Sequence, residues 1–254
     1  VLASAILGPV LPAMEKHFAD VPNVQTLVPI IVTVPMLALA VFGMIAGAAS
    51  DKLGRKRLLL AALALYGVAG TAPTYLESIN AIIASRVFVG IAEAAIMACS
   101  SALIGDYFHG AQRERYMSLQ TTVASLSAFL FNALGGILGQ QGWRVPFGVY
   151  ALAFVMFALV AAFIWDTHGD PQALARAQAG DAPGITFRPL LLAWICFVAF
   201  VGGAVFMMVP VHLAYLLVAV GTTAPPQIGL AYAVNSIGVA VGTVVFGWYI
   251  VARF

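Results

Sequence analysis

The feature that most constrains this chain is a series of apolar runs, each long enough to cross a membrane. Read against their breaks, the runs predict eight helices, at residues 1–16, 24–50, 57–76, 79–105, 116–139, 146–165, 189–219 and 227–250. A bilayer core of about 30 Å requires about 20 apolar residues per helix. The composition is 62% hydrophobic and 9% charged, a balance that soluble domains do not show. The pattern therefore predicts an integral membrane protein.

These segments are expected to be helices, because lipid offers no hydrogen-bond partner to an open backbone. A β-barrel would need short segments of alternating polarity, whereas these runs are long and unbroken. Most connections between the segments are short, but 166–188 is polar and rich in Ala, Gly, Asp and Pro. It is predicted to be a cytoplasmic linker, so that residues 1–165 form a six-helix bundle and 189–254 begin a second bundle.

The distribution of Lys and Arg predicts the orientation of the chain. Nine of these residues follow the second, fourth, sixth or eighth segment: Lys52, Arg55, Lys56, Arg57, Arg113, Arg115, Arg176, Arg188 and Arg253. The opposite side holds Lys16 and Arg144, and Arg86 lies within a segment. Because basic loops stay in the cytoplasm, the even-numbered helices are expected to end there.

The turn after the second segment carries charges and glycines in an order that topology does not require. It reads Gly47-x-x-x-Asp51-Lys52-x-Gly54-Arg55-Lys56, which resembles the signature of the major facilitator superfamily. Two further motifs support the resemblance, Arg86-x-x-x-Gly90-x-Ala92 and Gly142-Trp143-Arg144-x-x-Phe147. The linker after the sixth helix also falls where that family joins its two halves.

The resemblance implies an all-α membrane protein with the major facilitator fold. That fold has twelve helices, so the chain is expected to hold the N-terminal six-helix bundle and the first two helices of the second bundle. About four further helices and the start of the first helix would then lie outside it. An eight-helix protein is the alternative.

The resemblance also implies a role for the charged turn. In the family, the acid and the basic residues of this signature form a cytoplasmic gate that holds the outward-open state. Carried over, the gate residues are Gly47, Asp51, Gly54, Arg55 and Lys56, and their expected partner is a helix of the second half. The alternative is a plain basic loop that fixes orientation.

Glu93 is the one acid well inside a predicted segment, and intramembrane charges are usually functional. It is predicted to couple protons or to contact substrate, with a structural carboxyl as the alternative. Arg86 lies two turns away on the same face, about 10 Å along the axis. The family role for Arg86 is to tune the proton site, and a structural bond to backbone carbonyls of the first helix is the alternative.

Three further polar residues lie in the predicted segments. His212 follows Pro210 on the seventh helix, which lines the family's cavity, and it is either a cavity residue or a packing residue. Asn132 and Asn235, on the fifth and eighth helices, either contact substrate or join neighbouring helices.

The predicted function is secondary active transport by alternating access, with proton-coupled efflux of small organic or drug-like molecules. One departure weakens antiport: family antiporters often carry Gly-Pro-x-x-Gly-Gly on the fifth helix, and only Gly135-Gly136 of that motif is present. The alternatives are proton-linked uptake of a nutrient such as a sugar or organic acid, and a non-transporting assembly factor or receptor on the same fold.

The sequence carries no motif for catalysis, nucleotide binding or metal binding, so no enzyme activity, cofactor or metal is expected. A net charge of +2 gives no reason to expect nucleic acid as a partner. The expected partners are a small-molecule substrate, protons and membrane lipid. The protein is expected to be a monomer in a bacterial inner membrane.

Overall fold

In the computed structural model, residues 5–164, 211–222 and 224–246 are described, together with positions 194, 197, 201, 202 and 208. The predicted linker 166–188 and most of 189–210 lie outside the described residues. The described part is helical: α1 (Leu11–His17), α2 (Val24–Leu53), α3 (Arg55–Thr71), α4 (Ile79–Tyr107), α5 (Ala111–Gly139), α6 (Leu152–Phe163), α7 (211–219) and α8 (Pro225–Phe246).

The first helix differs from the continuous segment predicted over 1–16. A short 3-10 turn, Gly8–Val10, precedes α1, and both elements have a proline in their first two positions. Proline has no N–H to donate and is favoured in the first turn of a helix, whereas inside a helix it removes one backbone hydrogen bond, as Pro29 and Pro35 do in α2. Pro9 and Pro12 lie at the start of the two short elements into which this run is divided.

The other described helices follow the apolar runs, with shifted ends, and only 211–219 of the predicted seventh helix is described continuously. Residues 72–74, predicted within the third helix, form a 3-10 turn, Ala72–Thr74, after α3. A further 3-10 segment, Val145–Ala151, precedes α6. Gly54 ends α2 with φ 91°, a conformation that favours glycine and allows α3 to begin at the next residue.

Within the described residues, five helical stretches are long and apolar enough to cross a membrane: Val24–Leu53, Arg55–Thr74, Ile79–Tyr107, Arg115–Gly139 and Val145–Phe163. The main core lies among α1, α2, α4 and the segment that leads into α6. Gly90 allows α4 to approach α2, because a side chain there would collide with the backbone of Pro35. Helix α5 packs instead against α8.

Candidate functional site

The charged turn between α2 and α3 binds to helices of its own bundle. The Arg55 guanidinium pairs with the Asp106 carboxylate, lies 3.6 Å from Asp51, and donates to the Ala102 carbonyl oxygen at 2.7 Å. Lys56 Nζ donates to the Ala161 carbonyl oxygen at 3.0 Å, near the end of α6. The turn therefore joins α3 to α4 and α6.

Two other members of the motif, Asp51 and Gly47, face open space, whereas Gly54 is buried. The Asp51 side chain is 69% exposed. A Cβ added at Gly47 would meet nothing within 4 Å. The face of α2 that holds Gly47 therefore has room for a neighbouring helix, and the expected gate partner in the second half stays a prediction.

Arg86 is fully buried within the first bundle. Its Nη2 donates to the carbonyl oxygens of Ala69 and Gly70, at 2.9 and 3.0 Å. Its guanidinium also lies 5.1 Å from the ring centroids of Phe147 and Tyr150. Those carbonyls belong to the last turn of α3, where the helix dipole favours a cation. Arg86 thus holds the end of α3 against the segment that leads into α6.

The hydrogen bonds of Arg86 differ from those that its structural interpretation predicted. The sequence suggested backbone carbonyls of the first helix as its partners, whereas the described partners are carbonyls of α3. Helix α3 packs against α4, so the Ala69 and Gly70 carbonyls in its last turn lie within hydrogen-bond distance of Arg86. A role in tuning a proton site stays a prediction.

Glu93 lies on α4, further from the helix start than Arg86, and is half-buried. Its carboxylate is close enough to Tyr150 to interact with it electrostatically. One turn further on, Met97 is 54% exposed. Glu93 therefore lies between the buried Arg86–Tyr150 group and a more open part of α4.

The remaining predicted site residues lie on α5, α7 and α8. His212 is exposed and lines a cavity of about 540 Å³ with Met208 and three other α7 residues. Asn132 is buried, and its Nδ2 donates to the Ser236 hydroxyl on α8 at 3.1 Å and to the Ala128 carbonyl oxygen at 2.8 Å. Asn235 is half-buried. In this conformation the Asn132 side chain joins α5 to α8. Substrate contact, the other interpretation of Asn132, stays a prediction.

At one end, α5 and α8 are in backbone contact. A Cβ at Gly136 would lie 2.9 Å from the Gly229 Cα, and a Cβ at Gly229 would lie 2.7 Å from the Gly136 Cα. One turn further along α5, a Cβ at Gly139 would lie 3.3 Å from Pro225 Cβ. This glycine contact, formed by Gly136, Gly139 and Gly229, lies where α5 ends and α8 begins. The charge count assigns that side to the outside.

The face of α5 that meets α8 opens towards the other end. Residues spaced by three or four share this face, and their burial falls in order: Gly136 and Asn132 are buried, Phe129 and Ser125 half-buried, and Thr122 and Ser118 exposed. The two helices are therefore in contact at the predicted outer side, and the α5 surface is open at the predicted cytoplasmic side.

A different face of α5 shows no such gradient. Six apolar residues on it are 41% to 59% exposed along nearly the whole helix: Leu119, Val123, Leu126, Leu130, Leu134 and Ile137. Even exposure of apolar side chains is what a lipid-facing surface requires. The fall in burial along the neighbouring face is therefore caused by the contact with α8 and is not a property of the whole helix.

Sequence reasoning missed three residues that build these contacts: Asp106, Tyr150 and Gly229. Asp106 lies near a helix end, where a carboxylate is common and gives no distinguishing signal. Tyr150 belongs to an apolar run and carries no distinguishing local pattern. No group of His, Cys, Asp or Glu that could hold a metal ion occurs within the described residues.

Comparison with known proteins relates the whole chain to one family. The family model of the Major Facilitator Superfamily matches residues 1–254. The chain is 35% identical over 153 residues to the bacillibactin exporter of Bacillus subtilis, which covers 58% of this chain and 37% of that protein. It is 26% identical over 162 residues to the arabinose-proton symporter of Escherichia coli, which covers 63% of this chain and 33% of that protein.

A solved structure shows the same fold. The structure of a D-xylose-proton symporter superposes with a TM-score of 0.76 at 14% identity, over 100% of this chain and 66% of that chain. The chain therefore spans well under half the length of the two relatives above and about two thirds of this structure.

Proposed function

The chain belongs to the major facilitator superfamily, and from that premise we propose that the protein is a secondary active transporter that works by alternating access. The fold is that of an all-α, multi-pass integral membrane protein, and members of the family are transporters rather than enzymes. The observation that carries the proposal is the burial gradient on α5, which is closed against α8 at one end and open at the other.

The gradient supports an inward-facing state. The open end of α5 lies on the side that the Lys and Arg count assigns to the cytoplasm, and the glycine contact closes the opposite side. Transport then requires a second state in which the glycine contact separates and the cytoplasmic ends approach. The gate motif serves that second state, because Asp51 and Gly47 present an open surface at the cytoplasmic end of α2.

We assign proton coupling to Glu93. It is half-buried on α4, at a depth where a carboxyl group is costly unless it has a function or a partner. A carboxyl group that changes its hydration between two states also changes its proton affinity, which is how a gradient can drive the cycle. Arg86 acts in this scheme as a structural neighbour that fixes α4 against α3.

The proposed substrates are small organic or drug-like molecules, moved outwards. Two observations support this choice: the 35% identity to an exporter, and the apolar cavity beside His212. The second candidate is proton-linked uptake of a sugar, which the 26% identity to a sugar-proton symporter favours. A bacterial inner membrane and a monomeric state are part of the same proposal.

Flux into inverted membrane vesicles separates the two candidates. Tetracycline and ethidium serve as drug-like probes and L-arabinose as the sugar probe. With an acidic vesicle interior, efflux predicts accumulation of a drug-like probe that a protonophore abolishes. Accumulation of arabinose in right-side-out vesicles under external acid would instead support uptake and overturn the efflux proposal.

The role of Glu93 is tested by Glu93→Gln, with Glu77→Gln as the matched control. Glu77 is exposed in the connection between α3 and α4, outside the spans. We expect Glu93→Gln to reduce proton-driven flux to the level of empty vesicles and Glu77→Gln to leave it unchanged. Flux at the unmodified rate in Glu93→Gln would show that the coupling site lies elsewhere.

A further inference from the structure

Tyr232 of α8 contacts elements from both halves of the protein. Its side chain is 3% exposed. Its hydroxyl oxygen accepts a hydrogen bond from the backbone N–H of Ala214 on α7, at 3.2 Å in a buried environment. On α7 and α8 its ring packs with Ala214 and Ile228. One aromatic side chain thus fixes the spacing of two helices of the second half.

The same ring lies against the first half at Gly8. A Cβ added at Gly8 would lie 3.0 Å from Tyr232 Cζ and 3.2 Å from Cε2. Gly8 opens the 3-10 turn before α1, where a side chain would push the ring away. The missing side chain is therefore what allows Tyr232 to reach across to this turn.

Tyr232 lies within the contact between α5 and α8. Gly229, Tyr232 and Ser236 share one face of α8, since they are three and seven positions apart. Gly229 meets Gly136, and Ser236 accepts the hydrogen bond from Asn132. All three α8 residues therefore face the first half, and Tyr232 alone of the three also binds α7.

We infer that Tyr232 is the positioning residue that holds the outer side closed, by tying α7 and α8 to the Gly8 turn. The inference rests on the proposed alternating access, because the ring and Gly8 must separate when the outer side opens. The hydroxyl sets the angle of the ring through Ala214, and Gly8 supplies the surface on which the ring rests. Loss of the Tyr232 hydroxyl, or of the space at Gly8 on which the ring rests, favours the outward-open state.

Two variants remove the Tyr232 hydroxyl and the packing of the Tyr232 ring on Gly8 separately. Tyr232→Phe keeps the ring and removes the acceptor for the Ala214 N–H. Gly8→Ala keeps the hydroxyl and displaces the ring. Their matched controls are Tyr75→Phe, at an 84% exposed tyrosine outside the contact, and Gly148→Ala, at a glycine in the 3-10 segment before α6 with nothing within 4 Å of an added Cβ.

The readout is access to a cysteine placed below the contact. Ser125→Cys lies on the α5 face towards α8, two turns nearer the predicted cytoplasmic end than Asn132. In a background where Cys99 and Cys196 are replaced by Ala, a membrane-impermeant maleimide is added to right-side-out vesicles of the full protein. The outer contact must open before this reagent reaches position 125.

We expect Tyr232→Phe and Gly8→Ala to raise the rate of labelling by about threefold to tenfold, the size expected for losing one interhelical hydrogen bond. Tyr75→Phe and Gly148→Ala should label at the background rate. Thermal unfolding of each variant in detergent confirms that it is folded. Unchanged labelling in both Tyr232→Phe and Gly8→Ala overturns the inference.

The labelling result is independent of transport. Faster labelling in a protein that moves no probe compound supports the role of Tyr232 and counts against the proposed substrates. Proton-driven flux in the unmodified protein, together with unchanged labelling in both variants, supports the proposed function and rejects Tyr232 as the positioning residue.

Discussion

The Arg55 guanidinium at the start of α3 pairs with the Asp106 carboxylate at the end of α4. Their side chains are 25% and 28% exposed, whereas Asp51, the second acid near Arg55, is 69% exposed and 3.6 Å away. Arg55 also donates to the Ala102 carbonyl oxygen, so three acceptors surround one guanidinium. The basic residue of the gate motif is therefore held within its own bundle, while the acidic residue is free to face solvent.

We expect Asp106→Asn to destabilise the protein more than Asp51→Asn. A charge-assisted bond in a partly buried setting contributes about 1–2 kcal/mol, whereas an exposed ion pair contributes about 0.5 kcal/mol or less. Thermal unfolding in detergent measures the difference. An equal loss of stability in the two variants, or a larger loss in Asp51→Asn, would contradict the pairing of Arg55 with Asp106.

Gly70 and Gly43 form a second test of packing. A Cβ at Gly70 would lie 2.5 Å from Tyr150 Cγ, and a Cβ at Gly43 would meet nothing within 4 Å. Gly70→Ala should therefore cost about 1–3 kcal/mol through overpacking. Gly43→Ala, in the interior of α2, should be neutral or stabilising by up to about 1 kcal/mol. Unfolding temperatures check both, and a stable Gly70→Ala variant would refute the described contact.

Arg86 is expected to be a stability determinant whatever its part in transport. Arg86→Met removes the donor to the Ala69 and Gly70 carbonyls, and each buried acceptor left unpaired costs about 1–3 kcal/mol. Arg86→Lys keeps the charge but loses the planar contact with Phe147 and Tyr150, so it should give intermediate stability. The order of melting temperatures is the measurement, and a fully stable Arg86→Met would disprove the role.

The two interpretations of Asn132 are separated by its partner Ser236. If their hydrogen bond only joins α5 to α8, Asn132→Ala and Ser236→Ala should each cost about 0.6 kcal/mol, with the double variant costing no more than one of them. Unfolding of the three variants gives the coupling energy. A change in substrate KM in Asn132→Ala, absent from Ser236→Ala, would show instead that Asn132 contacts substrate.

The second to sixth predicted helices and the eighth agree with the described ones, apart from shifted ends, because their signals are local. An apolar run of spanning length between polar turns forms a helix in lipid whatever its neighbours are. The first run was the exception: Pro9 and Pro12 divide it, and the prediction from hydrophobicity ignored the missing N–H groups. The resemblance to the superfamily rested on motif order and was confirmed by the family model over the whole chain.

The contacts of the candidate site were not predictable in the same way. Arg55 and Asp106 are 51 positions apart, and Asn132 and Ser236 are 104 apart. No local pattern in the sequence predicts a contact between residues that are so far apart along the chain. The structural alternative for Arg86 named carbonyls of the first helix, whereas its described partners are carbonyls of α3. Backbone carbonyls are chemically identical in every helix, so the sequence carries no signal of which helix lies near.

The sequence by itself determined that this protein lies in a membrane, where most of its described helices run, and which family it belongs to, because hydrophobic length and motif order are properties of the chain alone. The tertiary structure alone decided which side of the α5–α8 contact is closed. That choice depends on two glycines, Gly136 and Gly229, meeting without side chains between them. At this contact the missing side chains matter because two backbones come close enough to use the space.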